Sequence, residues 1–99
     1  MLKRTKIKQL LASETTQDEV LLKGWVKTKR DSKDFSFIEV NDGSCLKNIQ
    51  VIANNTLSNY NDVKKLTTGS SVAIKGALVE SAGGKQKYEV VAKEVTIYS

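Results

Sequence analysis

The stretch GWVKTKRDSKDFSFIEVNDGS, residues 24–44, carries the pattern that decides the fold. It holds most of a first alternating segment, residues 20–30, and all of a second one, residues 35–40. Successive side chains of a β-strand point to opposite faces, so alternation of apolar and polar residues predicts a strand in each segment. The polar residues 31–34 between them predict the connecting turn.

Two glycines punctuate this stretch. Gly24 lies inside the first strand, where it predicts a bend, a bulge or the close approach of another backbone. Gly43 follows the second strand within Asn-Asp-Gly-Ser, residues 41–44. This motif predicts a tight hairpin turn, because glycine tolerates the positive φ that such a turn needs.

The alternation also assigns faces to the first strand. Leu22, Val26 and Thr28 share the predicted inner face, and Lys27 and Lys29 share the outer face. The outer face of this strand is therefore expected to be basic.

The remainder of the chain supplies three more strands and two short helices. In chain order the patterns predict a strand over 46–53, a helix over 57–66, a strand over 71–79, a flexible loop over 81–84 and a strand over 87–98. Ile7, Leu10 and Leu11 have the spacing of one face of a short N-terminal helix. A change of phase near Lys93 and Glu94 predicts a β-bulge in the last strand.

The order of elements is β-β-β-α-β-β after the N-terminal helix, and it predicts an all-β fold. In about 100 residues this order is typical of the OB-fold, a five-stranded Greek-key barrel whose strands 2 and 3 bind oligonucleotides. The predicted organisation is a helical extension over residues 1–19 and the barrel over residues 20–99. No apolar stretch is long enough for a membrane-spanning helix, so no membrane partner is expected.

Residues that are missing exclude several kinds of chemistry. The 99 residues include no His and one Cys, which excludes a Ser-His-Asp triad and a Cys/His zinc site. A metal site built from carboxylates alone stays possible, but no clustered spacing suggests one, so no catalytic residue, metal or cofactor is expected. The single Cys45 has no partner for an internal disulfide, which fits a reducing, cytoplasmic compartment.

The net charge of +5 is unevenly distributed. Residues 1–33 contain nine basic and four acidic side chains, whereas residues 34–99 contain seven of each. A localised basic region attracts polyanions, and nucleic acid is the usual one. A solvated surface that promotes solubility explains the charge equally well.

The predicted outer face carries side chains suited to nucleotide bases. The phase of strand 2 places Phe35 and Phe37 outward, and that of strand 3 places Gln50 outward; bases stack on aromatic rings, and an amide can read a base edge. The residues alone favour packing under a loop or helix for Phe35 and exposure for Phe37. Glu89 on strand 5 is also outward, where surface pairing with a Lys is expected over contact with a base. Arg30 ends strand 1, where its guanidinium could stack on a base or hold a phosphate.

Several motifs together resemble a known family. They are GWVKTKRDSK (24–33), FSFIEVNDGSCLKNIQVI (35–52), LTTGSSV (66–72), KGALVES (75–81) and YEVVAKEV (88–95). Together these sequence motifs resemble the N-terminal anticodon-binding domain of asparaginyl-tRNA synthetases. The looser pattern, a GWV strand followed by R-D, F-I-E and Q, is shared with the aspartyl and lysyl relatives of class IIb.

The resemblance implies roles for individual residues. In that family the central U of the anticodon stacks on a strand-2 aromatic, which Phe37 matches. Arg30 matches the strand-1 arginine and Gln50 the strand-3 glutamine, and Glu89 is a weaker match to an acidic residue of strand 5. The outward phase of Phe37, Gln50 and Glu89 agrees with these roles. The neighbouring candidates for RNA contact are Phe35, Lys27, Lys29 and Lys33.

The function expected from the sequence is binding of the tRNA anticodon stem-loop, with tRNA-Asn as the partner that the resemblance implies. Family enzymes continue into a domain that binds ATP and the amino acid, so such a catalytic domain is a further expected partner if the chain is a fragment. Two alternatives are a general binder of single-stranded nucleic acid and a protein-interaction module that binds no RNA.

Overall fold

Strand β1, Gln17–Asp31, pairs with two neighbours at once in a computed structural model that describes residues 2–81 and 86–98. Its first half pairs with β4, Ser71–Glu80, and its second half with β2, Phe35–Asn41. Gly24 lies where the two pairings meet, and a Cβ atom there would collide with the backbone carbonyl of Asn41. The close backbone approach predicted at Gly24 is confirmed.

The five strands close into a barrel. Strand β3, Ile49–Asn54, pairs with β2 and also, in parallel, with β5, Tyr88–Ile97. Strand β5 pairs with β4, which returns to β1, so the order around the barrel is β1-β2-β3-β5-β4. The predicted five-stranded all-β barrel is confirmed.

Two short helices lie outside the strand order. Helix α1, Ile7–Leu11, contributes Ile7 and Leu10 to the same core as the barrel strands. Helix α2, Tyr60–Val63, lies between β3 and β4 and is shorter than the predicted 57–66, because turns take up the residues on both sides of it. No helix within residues 2–81 and 86–98 is long and apolar enough to cross a membrane.

The barrel interior is largely apolar. Its largest fully buried side chains are Ile7, Leu10, Val20, Leu22, Val26, Ile38, Val40, Ile49, Val51, Val63, Ile74 and Leu78. They come from both helices and from four of the strands, so burial of apolar area ties the N-terminal segment to the barrel.

The loop between β2 and β3 differs from its prediction. Instead of a tight turn followed by a strand from residue 46, residues 42–48 form a longer loop and β3 begins at Ile49. Gly43 has the expected positive φ of 81°. The loop is longer because its side chains bond elsewhere: the backbone N–H of Ile7 in α1 donates to Asp42 Oδ2 (2.9 Å), and that of Lys8 donates to Ser44 Oγ (3.0 Å).

A bulge in β1 reverses part of the predicted face assignment. The register shifts between Val26 and Thr28, after which Thr28 pairs with Glu39 and Lys29 pairs with Ile38. Thr28 is therefore outward and Lys29 inward, so the predicted faces of both were wrong. The extra residue at the bulge changes the phase of everything that follows it.

The bulge in β5 is where the sequence predicted it. Lys75 pairs with Glu94 and Gly76 with Ala92, which leaves Lys93 as the additional residue of β5. Val95 is consequently buried although it is out of phase with Ala92.

Strand β1 begins three residues before the predicted residue 20, because Gln17 still pairs with Leu78 of β4. Of the predicted loop 81–84, residues 82–84 lie outside the described residues.

Candidate nucleic-acid interface

The ring of Phe37 lies at the centre of the outer face of β2. Its cross-strand neighbours are Arg30 of β1 and Ile52 of β3. The guanidinium carbon of Arg30 is 5.1 Å from the Phe37 ring centroid, within cation–π range. Phe35 contacts the same ring edge-on, with centroids 4.9 Å apart and an interplanar angle of 88°. These contacts orient a half-buried aromatic ring that still has access to solvent.

Gln50 and Glu89 form the polar part of the same face. Gln50 Nε2 donates to Glu89 Oε1 over 3.0 Å, and Ser81 Oγ donates to the same oxygen over 3.0 Å. Glu89 is only 7% exposed. The expected surface ion pair of Glu89 is not what the structure contains: within the described residues its carboxylate bonds to an amide and a hydroxyl, and no Lys or Arg there pairs with it.

A second set of polar contacts continues from Gln50 toward the loop 42–48. Glu39 lies opposite Gln50 and accepts from Asn48 Nδ2 over 3.1 Å. Asn48 Oδ1 in turn accepts from Asn41 Nδ2 over 2.9 Å. Gln86 joins the strands from the other side, since its Oε1 accepts from the backbone N–H of Gln50 over 3.3 Å and its side-chain amide donates to the Asn48 carbonyl.

These residues border one groove of about 670 Å³. The groove brings together four of the predicted site residues, Arg30, Phe37, Gln50 and Glu89, and Lys29 also borders it. The residues that complete its lining are Thr28, Glu39, Leu46, Lys47, Asn48, Ser81, Gln86 and Tyr88. An aromatic face beside fixed donors and acceptors suits a planar base with a polar edge.

The other predicted site residues lie elsewhere. Phe35 reaches the groove only through its contact with Phe37, and the exposed Lys27 and Lys33 do not border it. The Lys29 side chain is 11% exposed, and its ammonium bonds to Asp31 (3.1 Å) and to the Lys64 carbonyl. The Lys29 charge is thus engaged inside the protein, at the end of the barrel near α2.

Asp31 contributes to the same cluster from the surface, with its side chain 40% exposed. Its carboxylate accepts from Ser36 Oγ over 2.6 Å, and this bond, followed by the hydrogen bond and charge of Lys29, outweighs desolvation and lowers the Asp31 pKa below its usual range. Ser36 also contacts the Tyr60 hydroxyl over 3.1 Å. The cluster connects the end of β1 to α2.

Sequence reasoning did not select several residues of the groove. Glu39 and Asn48 share the outward phase of Phe37 and Gln50, so the alternation contained a signal for them. Leu46 belongs to the predicted strand over 46–53, in phase with Asn48 and Gln50, although the structure places it in a loop. Ser81 lies in a connecting segment, where no periodicity indicates a direction.

Comparison with known proteins assigns the family. The description "OB-fold nucleic acid binding domain" of the tRNA anticodon family matches residues 20–98. The chain belongs to this family. The resemblance to asparaginyl-tRNA synthetases is confirmed: the asparagine–tRNA ligase of Oleidesulfovibrio alaskensis is 50% identical over 96 residues, which are 97% of this chain and 21% of that protein. The chain spans about a fifth of the length of the curated relatives it matches.

Solved structures agree on the fold of this OB-fold domain. Asparaginyl-tRNA synthetase from Pyrococcus horikoshii, complexed with asparaginyl-adenylate, superposes with a TM-score of 0.84 at 20% identity, over 98% of this chain and 22% of that one. An OBody bound to hen egg-white lysozyme superposes with a TM-score of 0.78 at 21% identity, over 99% of this chain and 96% of that one. At these identities the matches show the barrel and its connections.

Proposed function

We propose that this domain binds the anticodon loop of the asparagine tRNA. In this role it serves as the RNA-recognition module of an asparagine–tRNA ligase. The observation that carries the proposal is the convergence of Arg30, Phe37, Gln50 and Glu89 in one groove. Membership of an anticodon-type OB-fold family supports it, as does the similarity to asparagine–tRNA ligases over nearly the whole chain.

The proposed recognition begins with stacking. The central base of the anticodon stacks on the ring of Phe37, which Phe35 and Arg30 contact and orient. Stacking contributes about 1–3 kcal/mol per base and does not by itself select a base. Arg30 adds positive charge beside the stacked base and its phosphate.

Selection of uracil then falls to Gln50. Its amide nitrogen is turned toward Glu89, to which it donates over 3.0 Å, so the amide oxygen is the atom that faces away from the carboxylate. An acceptor at this place pairs with the N3–H of uracil and meets a lone pair on N3 of cytosine. Glu89, held by Ser81 as well, fixes this orientation.

The basic residues have a separate, sequence-independent role. Lys27 on β1 and Lys33 in the turn that follows this strand are exposed, and they attract phosphates of the anticodon stem. Aminoacylation itself is assigned to residues outside this chain, in the catalytic domain of the proposed ligase.

The test compares two stem-loops that differ only at the central anticodon position, U or C, by fluorescence anisotropy over a series of salt concentrations. We expect tighter binding of the U form by about tenfold, equivalent to ~1.4 kcal/mol, and a steep loss of affinity as salt rises. Equal affinities would leave a general single-strand binder, and an affinity independent of salt would contradict electrostatic recognition of RNA.

A protein-interaction role is the remaining alternative. It predicts that titration with the U stem-loop leaves the amide NMR signals of Arg30, Phe37 and Gln50 unchanged. Movement of these three signals, and of few signals on the opposite side of the barrel, supports the RNA-binding proposal instead.

A further inference from the structure

The loop 42–48 also borders the groove, through Leu46, Lys47 and Asn48. We propose that Leu46 packs against the base next to the one on Phe37, so that the groove holds two nucleotides. The inference rests on the proposed function and deepens it. Its apolar contact would add affinity without reading sequence, because a leucine side chain offers no hydrogen bond.

Exposure is the first observation. Leu46 is 101% exposed, more than any other large apolar side chain among the described residues. An exposed leucine alone is common on protein surfaces. This one, however, borders the same groove as Phe37 and Gln50, where a bound nucleotide would cover it.

The loop that carries Leu46 is held from within by one buried amide. Asn41 Nδ2 lies within hydrogen-bonding distance of the Cys45 carbonyl (3.3 Å) and the Lys47 carbonyl (3.2 Å). The two carbonyls flank Leu46 on both sides. Asn41 Oδ1 accepts from the Gly43 backbone N–H over 2.7 Å, and Asn41 is 8% exposed.

The far side of the loop is tied to α1. The Asp42 carboxylate accepts from the backbone N–H of Ile7 and of Ser44, each over 2.9 Å, and Arg4 pairs with it at 3.5 Å. A loop held on both sides loses little conformational freedom when a ligand binds, so its apolar tip contributes more of its burial to affinity.

The register of β2 and β3 gives the position of Leu46 relative to Phe37. Phe37 pairs with Ile52, and one step along the same face Glu39 pairs with Gln50. Asn48 bonds to Glu39 on the side farther from Phe37, and Leu46 follows beyond it. Leu46 therefore lies along the same face as Phe37 and Gln50 and borders the groove that holds the base on Phe37.

The test combines Leu46→Ala with three RNAs: the intact U stem-loop and two forms with an abasic nucleotide on one or the other side of the central U. Tyr98→Ala is the matched control, because Tyr98 is 60% exposed and does not border the groove. We expect Leu46→Ala to weaken binding of the intact stem-loop about five- to tenfold, consistent with burial of an aliphatic side chain. Tyr98→Ala should leave affinity unchanged, and both variants should retain the wild-type melting temperature.

The abasic forms locate the contact. The effect of Leu46→Ala should vanish with one abasic form and persist with the other. An equal effect with both forms, or no effect on the intact stem-loop while Phe37→Ala weakens binding, would overturn the inference and leave the anticodon proposal standing. If Phe37→Ala also had no effect, the proposed function itself would fail.

Discussion

The two faces of the β2–β3 hairpin are stabilised differently: the inner face by burial of apolar side chains, the outer face by directional polar and aromatic contacts. The inner face consists of side chains with no exposed surface, Ile38, Val40, Ile49 and Val51. The outer face carries Phe37, Glu39, Gln50 and Ile52, which are exposed or half-buried and, except for Ile52, take part in directional contacts. Because the faces alternate residue by residue, stability and recognition can be changed separately.

The largest expected effect is on the inner face. Ile38→Ala removes a fully buried side chain and leaves a cavity, so it should lower the free energy of unfolding by ~2–5 kcal/mol. Urea denaturation measures this loss. Well below the shifted transition, the remaining folded protein should bind the U stem-loop with wild-type affinity. A binding defect in that folded fraction would break the separation of the two faces.

The neighbouring residue gives the converse result. Phe37→Ala should weaken binding of the U stem-loop by ~1–3 kcal/mol through lost stacking. Its effect on stability should be smaller than that of Ile38→Ala, because the ring is only half-buried. Phe35→Ala is the matched control and should weaken binding less, since Phe35 contacts the Phe37 ring but does not border the groove. An unchanged affinity for Phe37→Ala with a large drop in melting temperature would assign the ring to the core.

Asn41 tests the boundary between the two faces, at the end of β2. Asn41→Asp keeps the size and the acceptor for the Gly43 N–H but replaces the donor to Asn48 Oδ1 and to the Cys45 and Lys47 carbonyls with a carboxylate oxygen. We expect a loss of stability of ~1–3 kcal/mol, because buried acceptors lose their donor. Faster hydrogen exchange at residues 43–48 than in the strands would confirm that the amide holds the loop. Wild-type exchange rates there would contradict it.

Substitution of Lys27 and of Lys29 compares an exposed lysine of β1 with one whose ammonium is bonded within the protein. Lys27→Met should reduce the slope of log affinity against log salt by about one unit if Lys27 meets a phosphate. Lys29→Met should leave that slope unchanged and instead lower the melting temperature, because its ammonium bonds to Asp31 and the Lys64 carbonyl. Equal changes of slope would show that Lys29 leaves its internal partners when RNA binds.

The smallest expected effect concerns pH. Desolvation alone would raise the Asp42 pKa, but hydrogen bonds from Ser44 and the Ile7 N–H, with Arg4, outweigh it and lower the pKa below its usual range. An unfolded aspartate titrates near pH ~3.9, so this carboxylate stabilises the fold above that pH and ceases to do so as pH falls through its folded pKa.

Melting curves below about pH 4 measure this contribution, near the pKa of an unfolded aspartate. Asp42→Asn should lower the melting temperature at pH 7 and flatten its decline on acidification. Asp31→Asn is the control: the Asp31 pKa is also lowered, but its side chain is 40% exposed, so the change should be smaller. If the melting temperature of Asp42→Asn fell on acidification as steeply as that of the wild type, Asp42 would not be a source of the pH dependence.

The sequence contained enough local signal to predict most of the fold. Alternation predicted five strands, and the interrupted alternation at Lys93 predicted the bulge of β5 because apolar residues lie on both sides of it. Gly24 predicted the close backbone approach at the junction of β1 with its two partners. The outward phase of Phe37 and Gln50 followed from the same alternation.

Long-range contacts decided the remainder. The bulge between Val26 and Thr28 is followed by polar residues only, Thr28, Lys29 and Arg30, so the pairing with β2 sets the direction of each side chain. Contacts with α1 and with the Asn41 amide hold the loop 42–48, which carries Leu46. Periodicity thus determined by itself which elements form and which face of each is apolar. Where the residues are uniformly polar or lie between strands, only the tertiary partners decide direction, because burial there distinguishes no position from the next.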